Sequence, residues 1–126
     1  MNEKILVIDD DPSLVHLMTA NLEEIGYTVI SGYDGQMAIN LAKTIKPHLI
    51  IMDVNMPITN GLKALEIIRL NPQSKSIPVI LLSGETSDKV FPKVQETGRV
   101  LHIKKPVDLE ELNSLIKQVL IKYPVE

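Results

Sequence analysis

The chain has 126 residues, of which 44% are hydrophobic and none is cysteine, and its formal net charge is −3. This length and apolar content suffice for one ordinary domain with its own core, and the lack of cysteine excludes disulfides and thiolate metal sites. A small, mixed charge with no basic stripe argues against direct binding of nucleic acid or a membrane surface, and favours protein partners.

The chain shows no secretory-signal pattern, and no apolar run approaches the length needed to cross a bilayer. It also contains no internal repeat, low-complexity tract or linker. We therefore expect a cytoplasmic protein in which residues 1–126 form a single domain.

Short apolar runs alternate with longer stretches whose apolar residues are three and four apart, a β-α-β-α pattern. The runs predict strands at about residues 4–9, 28–31, 48–53, 77–83 and 100–104. They are mostly unalternating, as in a parallel sheet that is buried on both faces, and the weakest run, 28–31, is expected at an edge. Strand-helix alternation with short connections predicts a doubly wound α/β domain with a five-stranded parallel sheet and five helices.

The helical stretches carry their own boundary signals. The first is expected to bury Leu14, Leu17, Met18, Leu22 and Ile25 on one face, between Pro12 and Gly26. The second and third stop at Lys46-Pro47 and at Asn71-Pro72, and the last begins after Asp108 as its N-cap. The fourth, within 87–98, is interrupted by Phe91-Pro92, so we expect a loose helix there or a short one that starts near Pro92.

Four predicted strands end in residues with reactive or charged side chains. Asp9-Asp10-Asp11 follow the first strand, Asp53 ends the third, and Ser83 and Lys105 end the fourth and fifth. Ligands of such folds bind beyond the carboxyl ends of the strands, so these residues are expected to share one acidic pocket.

Carboxylates that lie close together repel one another, and a divalent cation is the simplest relief. Oxygen ligands, with no cysteine or histidine near these strand ends, favour Mg²⁺ or Mn²⁺ over zinc. The alternative is that Asp9 to Asp11 only begin a loop and cap the next helix.

Lys105, held by the following Pro106, would pair with Asp53 at rest and with phosphate oxygens later, and Ser83 would donate a hydrogen bond to the same oxygens. The alternatives are a solvated surface lysine and a turn-forming serine. An aspartate is a recognised covalent nucleophile, and phosphoryl transfer chiefly requires positioning and charge neutralisation. Together these residues indicate a metal-dependent phosphoryl acceptor.

Four motifs carry a resemblance to a known family. They are Val7-Ile8-Asp9-Asp10-Asp11, Met52-Asp53-Val54-Asn55-Met56-Pro57 with Asn60-Gly61-Leu62, Leu82-Ser83-Gly84, and Lys104-Lys105-Pro106. In order and spacing, over essentially the whole chain, they resemble the receiver domains of two-component response regulators. The resemblance implies a flavodoxin-like (βα)5 fold with strand order 2-1-3-4-5. It also implies a signalling switch that is not an enzyme beyond catalysing its own phosphorylation and dephosphorylation.

The resemblance further implies a role for each site residue. Asp53 would receive a phosphoryl group from a sensor histidine kinase or a phosphotransfer protein. Mg²⁺ would be bound directly by Asp10, chiefly through water by Asp9, and by a carboxylate oxygen of Asp53 and the backbone carbonyl of Asn55. Ser83 and Lys105 would hold the phosphoryl group. Asp11 matches no required position and is expected to cap a helix.

The downstream partner implied by the resemblance is a separate protein or a fused output domain, and phosphorylation-linked dimerisation is left open. Asn55 and Glu85, each two residues past a site residue, are expected to flank the phosphoryl group and admit water. Alternatively, both simply face solvent. We therefore predict a phosphorylated state that lasts minutes rather than hours.

His102 departs from the family pattern, which usually has tyrosine or phenylalanine at this switch position. A histidine there would still change rotamer, and its titration near neutral pH would couple the switch to protonation. The alternative is a partly exposed strand histidine without a special role.

Two rival functions have weaker support. An aspartate-nucleophile phosphohydrolase usually has an acid-base aspartate two positions after the nucleophile, where this chain has Asn55. A flavin-binding module would need a Ser/Thr/Gly-rich phosphate loop after the first strand, whereas Asp9-Asp10-Asp11-Pro12 would repel phosphate.

Overall fold

The computed structural model describes residues 3–56, 59–84 and 99–123. In these ranges the elements, in chain order, are β1 Lys4–Ile8, α1 Pro12–Ile25, β2 Thr28–Gly32, α2 Gly35–Thr44, β3 Leu49–Asp53, α3 Gly61–Leu70, β4 Val79–Ser83, β5 Val100–Lys104 and a C-terminal helix Leu109–Lys122. Within the same ranges, no helix is long and apolar enough to cross a membrane.

The five strands form one parallel sheet in the order β2-β1-β3-β4-β5, which confirms the predicted fold. Every residue of β3 and β4 is buried, because helices cover both faces of the sheet. The partly exposed β2 lies at one edge, as the weakness of its apolar run predicts.

Two apolar clusters, one on each face of the sheet, form the core. The α2–α3 cluster includes Leu6, Ile8, Ile50, Met52, Val79 and Leu81 together with residues of α2 and α3. The α1–C-terminal cluster includes Ile5, Val7, Leu49, Ile51, Ile80 and Leu82 together with residues of α1 and the C-terminal helix. Successive residues of each strand alternate between the two clusters, which explains why the runs are apolar without alternation.

The predicted helix ends are confirmed where the structure describes them. Asp11 caps α1, its carboxylate accepting hydrogen bonds from the backbone N–H groups of Ser13 and Leu14. Gly26 ends α1 with a left-handed φ of 119°, a conformation that costs glycine little. Asp108 caps the C-terminal helix in the same manner as Asp11.

The predicted buried face of α1 is wrong at two residues: Leu17 is 50% exposed and Ile25 is 45% exposed. The buried stripe is Val15, Met18 and Leu22 instead, because a helix turns about 100° per residue and Leu17 lies a quarter turn or more from that stripe.

The fourth predicted strand begins at Val79 rather than 77, since Pro78 has no N–H to contribute to a ladder. The fourth predicted helix, with its interruption at Phe91-Pro92, lies outside the described residues.

Candidate functional site

The predicted site residues do meet at the carboxyl edge of the sheet. Asp9 directly follows β1, Asp53 ends β3, Ser83 ends β4 and Lys105 directly follows β5. These four strands are consecutive in the sheet, so their ends lie side by side. Three of the four side chains are buried: Asp9 and Ser83 are 0% exposed and Asp53 is 3% exposed.

One ammonium group bridges the two buried carboxylates. Lys105 Nζ lies 2.9 Å from Asp9 Oδ2 and 3.3 Å from Asp53 Oδ2. The second oxygen of each carboxylate accepts a backbone N–H, from Asp11 at 2.9 Å and from Asn55 at 3.2 Å respectively. Each acid is thus oriented by its own loop, with its Oδ2 turned to the shared cation.

Opposing effects act on the pKa of Asp53 and on the pKa of Lys105. Burial and the neighbouring Asp9 charge raise the pKa of Asp53, although the Asn55 N–H and Lys105 act to lower it. Burial acts to lower the pKa of Lys105, but Asp9 and Asp53 outweigh it and raise that pKa. Lys105 therefore stays charged at neutral pH, while the fold makes ionisation of Asp53 less favourable than it is in water.

The acids fit a hard divalent cation. Asp9, Asp10 and Asp53 each offer a carboxylate oxygen, and these oxygens lie within 4.8 Å of one another. Lys105 balances one of their three negative charges, and one divalent ion would balance the two that remain. Exposed Asp10 faces solvent, from which an ion would enter, and an all-oxygen donor set suits Mg²⁺ or Mn²⁺.

Gly61 fixes the loop that follows Asp53. Its N–H donates to the carbonyl of Val54 at 2.9 Å, and a Cβ built on it would lie 2.2 Å from the carbonyl oxygen of Asp53. Only glycine permits this approach of α3 to the end of β3. From the sequence, Gly61 is recognisable only as part of a motif, because its role depends on a contact between backbones.

Ser83 hydrogen-bonds a histidine. Its hydroxyl Oγ pairs with Nε2 of His102 on the neighbouring strand β5, and His102 is only partly exposed. The prediction that no histidine adjoins these strand ends is therefore wrong. Strand pairing places Ser83 opposite Lys104, so His102 lies one diagonal step away, within reach of a long side chain.

The remaining predicted residues are less engaged. Asn55 is exposed, and its backbone N–H donates a hydrogen bond to the carboxylate of Asp53. Glu85 lies outside the described residues.

Comparison with known proteins identifies the family. The family described as "Response regulator receiver domain" matches residues 5–117. The chain belongs to this family. It is 35% identical to protein PilH of Pseudomonas aeruginosa, over 93% of this chain and 97% of that protein. It is 38% identical to the alkaline phosphatase synthesis transcriptional regulatory protein PhoP of Bacillus subtilis, over 95% of this chain and 49% of that protein. The receiver domain thus spans about half the length of this second relative.

Solved structures agree with the family. The receiver domain superimposes on the chemotaxis protein CheY4 of Vibrio cholerae with a TM-score of 0.88 and 30% identity, over 95% of this chain and all of that one. The chain is accordingly a receiver domain of two-component phosphorelay signalling.

Proposed function

We propose that residues 1–126 form a single receiver domain that accepts a phosphoryl group on Asp53 from a sensor histidine kinase or a histidine phosphotransfer protein. The observation that carries the proposal is the Lys105 ammonium held between the two buried carboxylates of Asp9 and Asp53. Such an arrangement places a nucleophile beside a fixed positive charge, which is what phosphoryl transfer asks of a protein.

Mg²⁺ is the cofactor that these residues fit best, with Mn²⁺ as a substitute. The ligands would be carboxylates of Asp9, Asp10 and Asp53 and the backbone carbonyl of Asn55. Bound there, the ion would neutralise the charge that builds up as the phosphoryl group approaches.

In the proposed reaction an Asp53 carboxylate oxygen attacks phosphorus, an O–P bond forms, and the bond between phosphorus and the donor histidine nitrogen breaks. Asp53 needs no general base because it reacts as a carboxylate. The backbone N–H of Asn55 keeps the carboxylate oriented. The Lys105 ammonium moves its contact from Asp53 to a phosphoryl oxygen and keeps its ion pair with Asp9. Ser83 donates its hydroxyl hydrogen to another phosphoryl oxygen.

The domain acts as a switch and is not an enzyme in the wider sense. Phosphorylation shifts a two-state equilibrium and alters a surface that includes β5 and the C-terminal helix, which a downstream protein or fused output domain reads. Asn55 and Glu85 are the proposed modulators of dephosphorylation, and the phosphorylated state would last minutes. We place this activity in the cytoplasm, and phosphorylation-linked homodimerisation stays open.

The test is phosphorylation by acetyl phosphate with Mg²⁺, followed by intact-protein mass spectrometry. We expect a gain of about 80 Da, the mass of one phosphoryl group, that is abolished by EDTA and by Asp53→Asn. Asp11→Asn is the matched control: Asp11 caps α1 and its variant is expected to gain the same mass. An adduct that persists in Asp53→Asn, or no adduct with Mg²⁺, contradicts the proposal.

A further inference from the structure

A second cleft lies at the amino ends of the strands, on the edge of the sheet opposite Asp53. Its walls are residues 46–48, 72–73 and 76–78 and Arg99, which precede β3, β4 and β5, together with Tyr123 after the C-terminal helix. Its volume is about 390 Å³, within the range of about 300 to 1,000 Å³ that is typical of small-molecule sites. The length of β3, roughly 16 Å, separates this amino-edge cleft from the phosphoryl site.

The charged groups of the amino-edge cleft are cationic. Lys46 brings an exposed ammonium and Arg99 a guanidinium, and none of the described residues that line the cleft is acidic. His48 adds a neutral donor, because its Nδ1 accepts the backbone N–H of Lys4 at 2.7 Å and the ring proton is therefore on Nε2. Arg99 donates one N–H to the carbonyl of Ser76 at 3.1 Å and has further donors on the same fork. The cleft therefore suits an anion.

The guanidinium of Arg99 is held in place by its neighbours. Its central carbon lies 4.7 Å from the centroid of the Tyr123 ring, a cation–π contact. Arg69 donates to the carbonyls of Ile77 at 2.7 Å and of Arg99 at 3.3 Å, and so ties two walls of the cleft together. Burial and the charge of Arg99 lower the pKa of Arg69 to about 10. An anion in the cleft would relieve the repulsion between these two guanidinium groups.

Both cationic residues of the cleft have a left-handed backbone. In the described ranges, the non-glycine residues with this conformation are Lys46, with φ 46°, and Arg99, with φ 54°. The conformation is costly for a residue with a Cβ, and glycine is the usual occupant just after a helix such as α2. Strained residues of this kind cluster at binding sites. That both of them line one cleft indicates that their side chains serve binding there.

We propose that the amino-edge cleft is a second binding site, for a small organic phosphate monoester. Two cationic side chains match the charge of about −1.5 to −2 that such a group carries at neutral pH, and donors on Lys46, His48 and Arg99 match its three outer oxygens. A carboxylate has one charge and two oxygens, so it would leave part of this donor set unmatched. The prolines that line the cleft offer an apolar surface to the organic body of the ligand.

The experiment is a ¹H–¹⁵N NMR titration of the full chain with phenyl phosphate, at constant ionic strength and with EDTA. We expect saturable shifts of the amides of His48, Ser76 and Arg99. Lys46→Gln should weaken binding about 3- to 10-fold, the equivalent of one hydrogen bond. Lys75→Gln is the matched control, because it removes the same charge from an exposed lysine beside the cleft that does not line it. This control should leave the affinity within about twofold of the wild type, since solvent screens a charge at that distance.

A second variant separates a role in binding from a role in the fold. Lys46→Gly removes both the ammonium and the left-handed strain, so without ligand it should unfold at a temperature no lower than that of the wild type. It should bind phenyl phosphate as weakly as Lys46→Gln does. Inorganic phosphate, which lacks the ring, and benzoate, which has a carboxylate in place of the phosphate, should each bind the wild type at least about threefold more weakly than phenyl phosphate.

Shifts confined to the cleft and weakened by both Lys46 variants support the proposal. It is overturned if the shifts do not saturate, if they centre on the edge of the sheet that carries Asp53, or if Lys75→Gln weakens binding as much as Lys46→Gln. A Lys46→Gly variant that is less stable than the wild type and binds equally well overturns it too. Inorganic phosphate or benzoate binding as tightly as phenyl phosphate overturns the assignment to a phosphate monoester.

Discussion

Removing the ammonium at Lys105 is the sharpest test of the site's electrostatics. At an effective dielectric constant of about 20, contacts of 2.9 Å and 3.3 Å are each worth roughly 5 to 6 kcal/mol before desolvation. Desolvation offsets most of this, and the lysine side chain is 28% exposed, which admits further screening. For Lys105→Met we therefore expect a net loss of about 2 kcal/mol in the free energy of unfolding.

Divalent ions should reverse part of that loss. Lys105→Met leaves Asp9, Asp10 and Asp53 without their shared cation, so added Mg²⁺ meets a stronger negative field. We expect Mg²⁺ to stabilise this variant more than the wild type, and to stabilise Asp53→Asn less. Without metal, Asp53→Asn should be the most stable of the three proteins and Lys105→Met the least stable.

The assay is urea unfolding at pH 7 with EDTA and with 10 mM Mg²⁺, roughly the concentration needed to load a millimolar-affinity site. Lys63→Met is the matched control because it removes the same charge from an exposed lysine, 3.7 Å from Glu66. It should change stability by less than about 0.5 kcal/mol and leave the Mg²⁺ effect unaltered. If Lys105→Met behaves like Lys63→Met, or if Mg²⁺ stabilises the wild type, Lys105→Met and Asp53→Asn equally, then the Lys105 ammonium does not balance the charge of these carboxylates.

Three further predictions follow from single contacts. Gly61→Ala should destabilise the domain by more than about 2 kcal/mol, because its Cβ meets the Asp53 carbonyl. Gly84→Ala, whose Cβ would meet no atom of the described residues within 4 Å, should cost less than half as much in urea unfolding. Asp53→Asn should gain stability relative to the wild type as pH rises above 3.8, because the pKa of Asp53 is raised in the folded protein and its ionisation destabilises the wild type. A constant difference in the free energy of unfolding between the two proteins from pH 3 to 7, about the range of this titration, would contradict this. Asn113→Ala should cost about 1 kcal/mol in thermal unfolding by breaking its paired amide bonds to Asn21, and no loss would show that these bonds contribute nothing.

Sequence alone predicted most of the fold because its signals are local. Apolar runs without alternation identify buried parallel strands, and capping residues such as Asp11 and Gly26 act within a few residues of the helix end. The errors have a local cause too: Leu17 lies off the buried stripe of α1, Ile25 is the last residue of that helix, and an apolar residue is free to be exposed.

The site was predictable in its membership but not in its contacts. The position of Asp9, Asp53 and Lys105 at strand ends follows from the strand pattern and the fold. Which partner each side chain contacts depends on the register between strands that are distant in sequence. The bond between Ser83 and His102 is such a case, since it requires β4 and β5 to pair with Ser83 opposite residue 104.

The charge balance of the pocket explains why the metal and the phosphoryl group should depend on each other. Asp9, Asp10 and Asp53 with Lys105 leave two negative charges, and a phosphoryl group on Asp53 would replace one charge by about two. A divalent ion would offset most of this excess. By linkage, the phosphorylated domain should then bind Mg²⁺ more tightly than the resting one, and by the same factor Mg²⁺ should favour phosphorylation. Calorimetric titration of Mg²⁺ with and without beryllium fluoride measures that factor, and equal affinities would show that Lys105 alone balances the added charge.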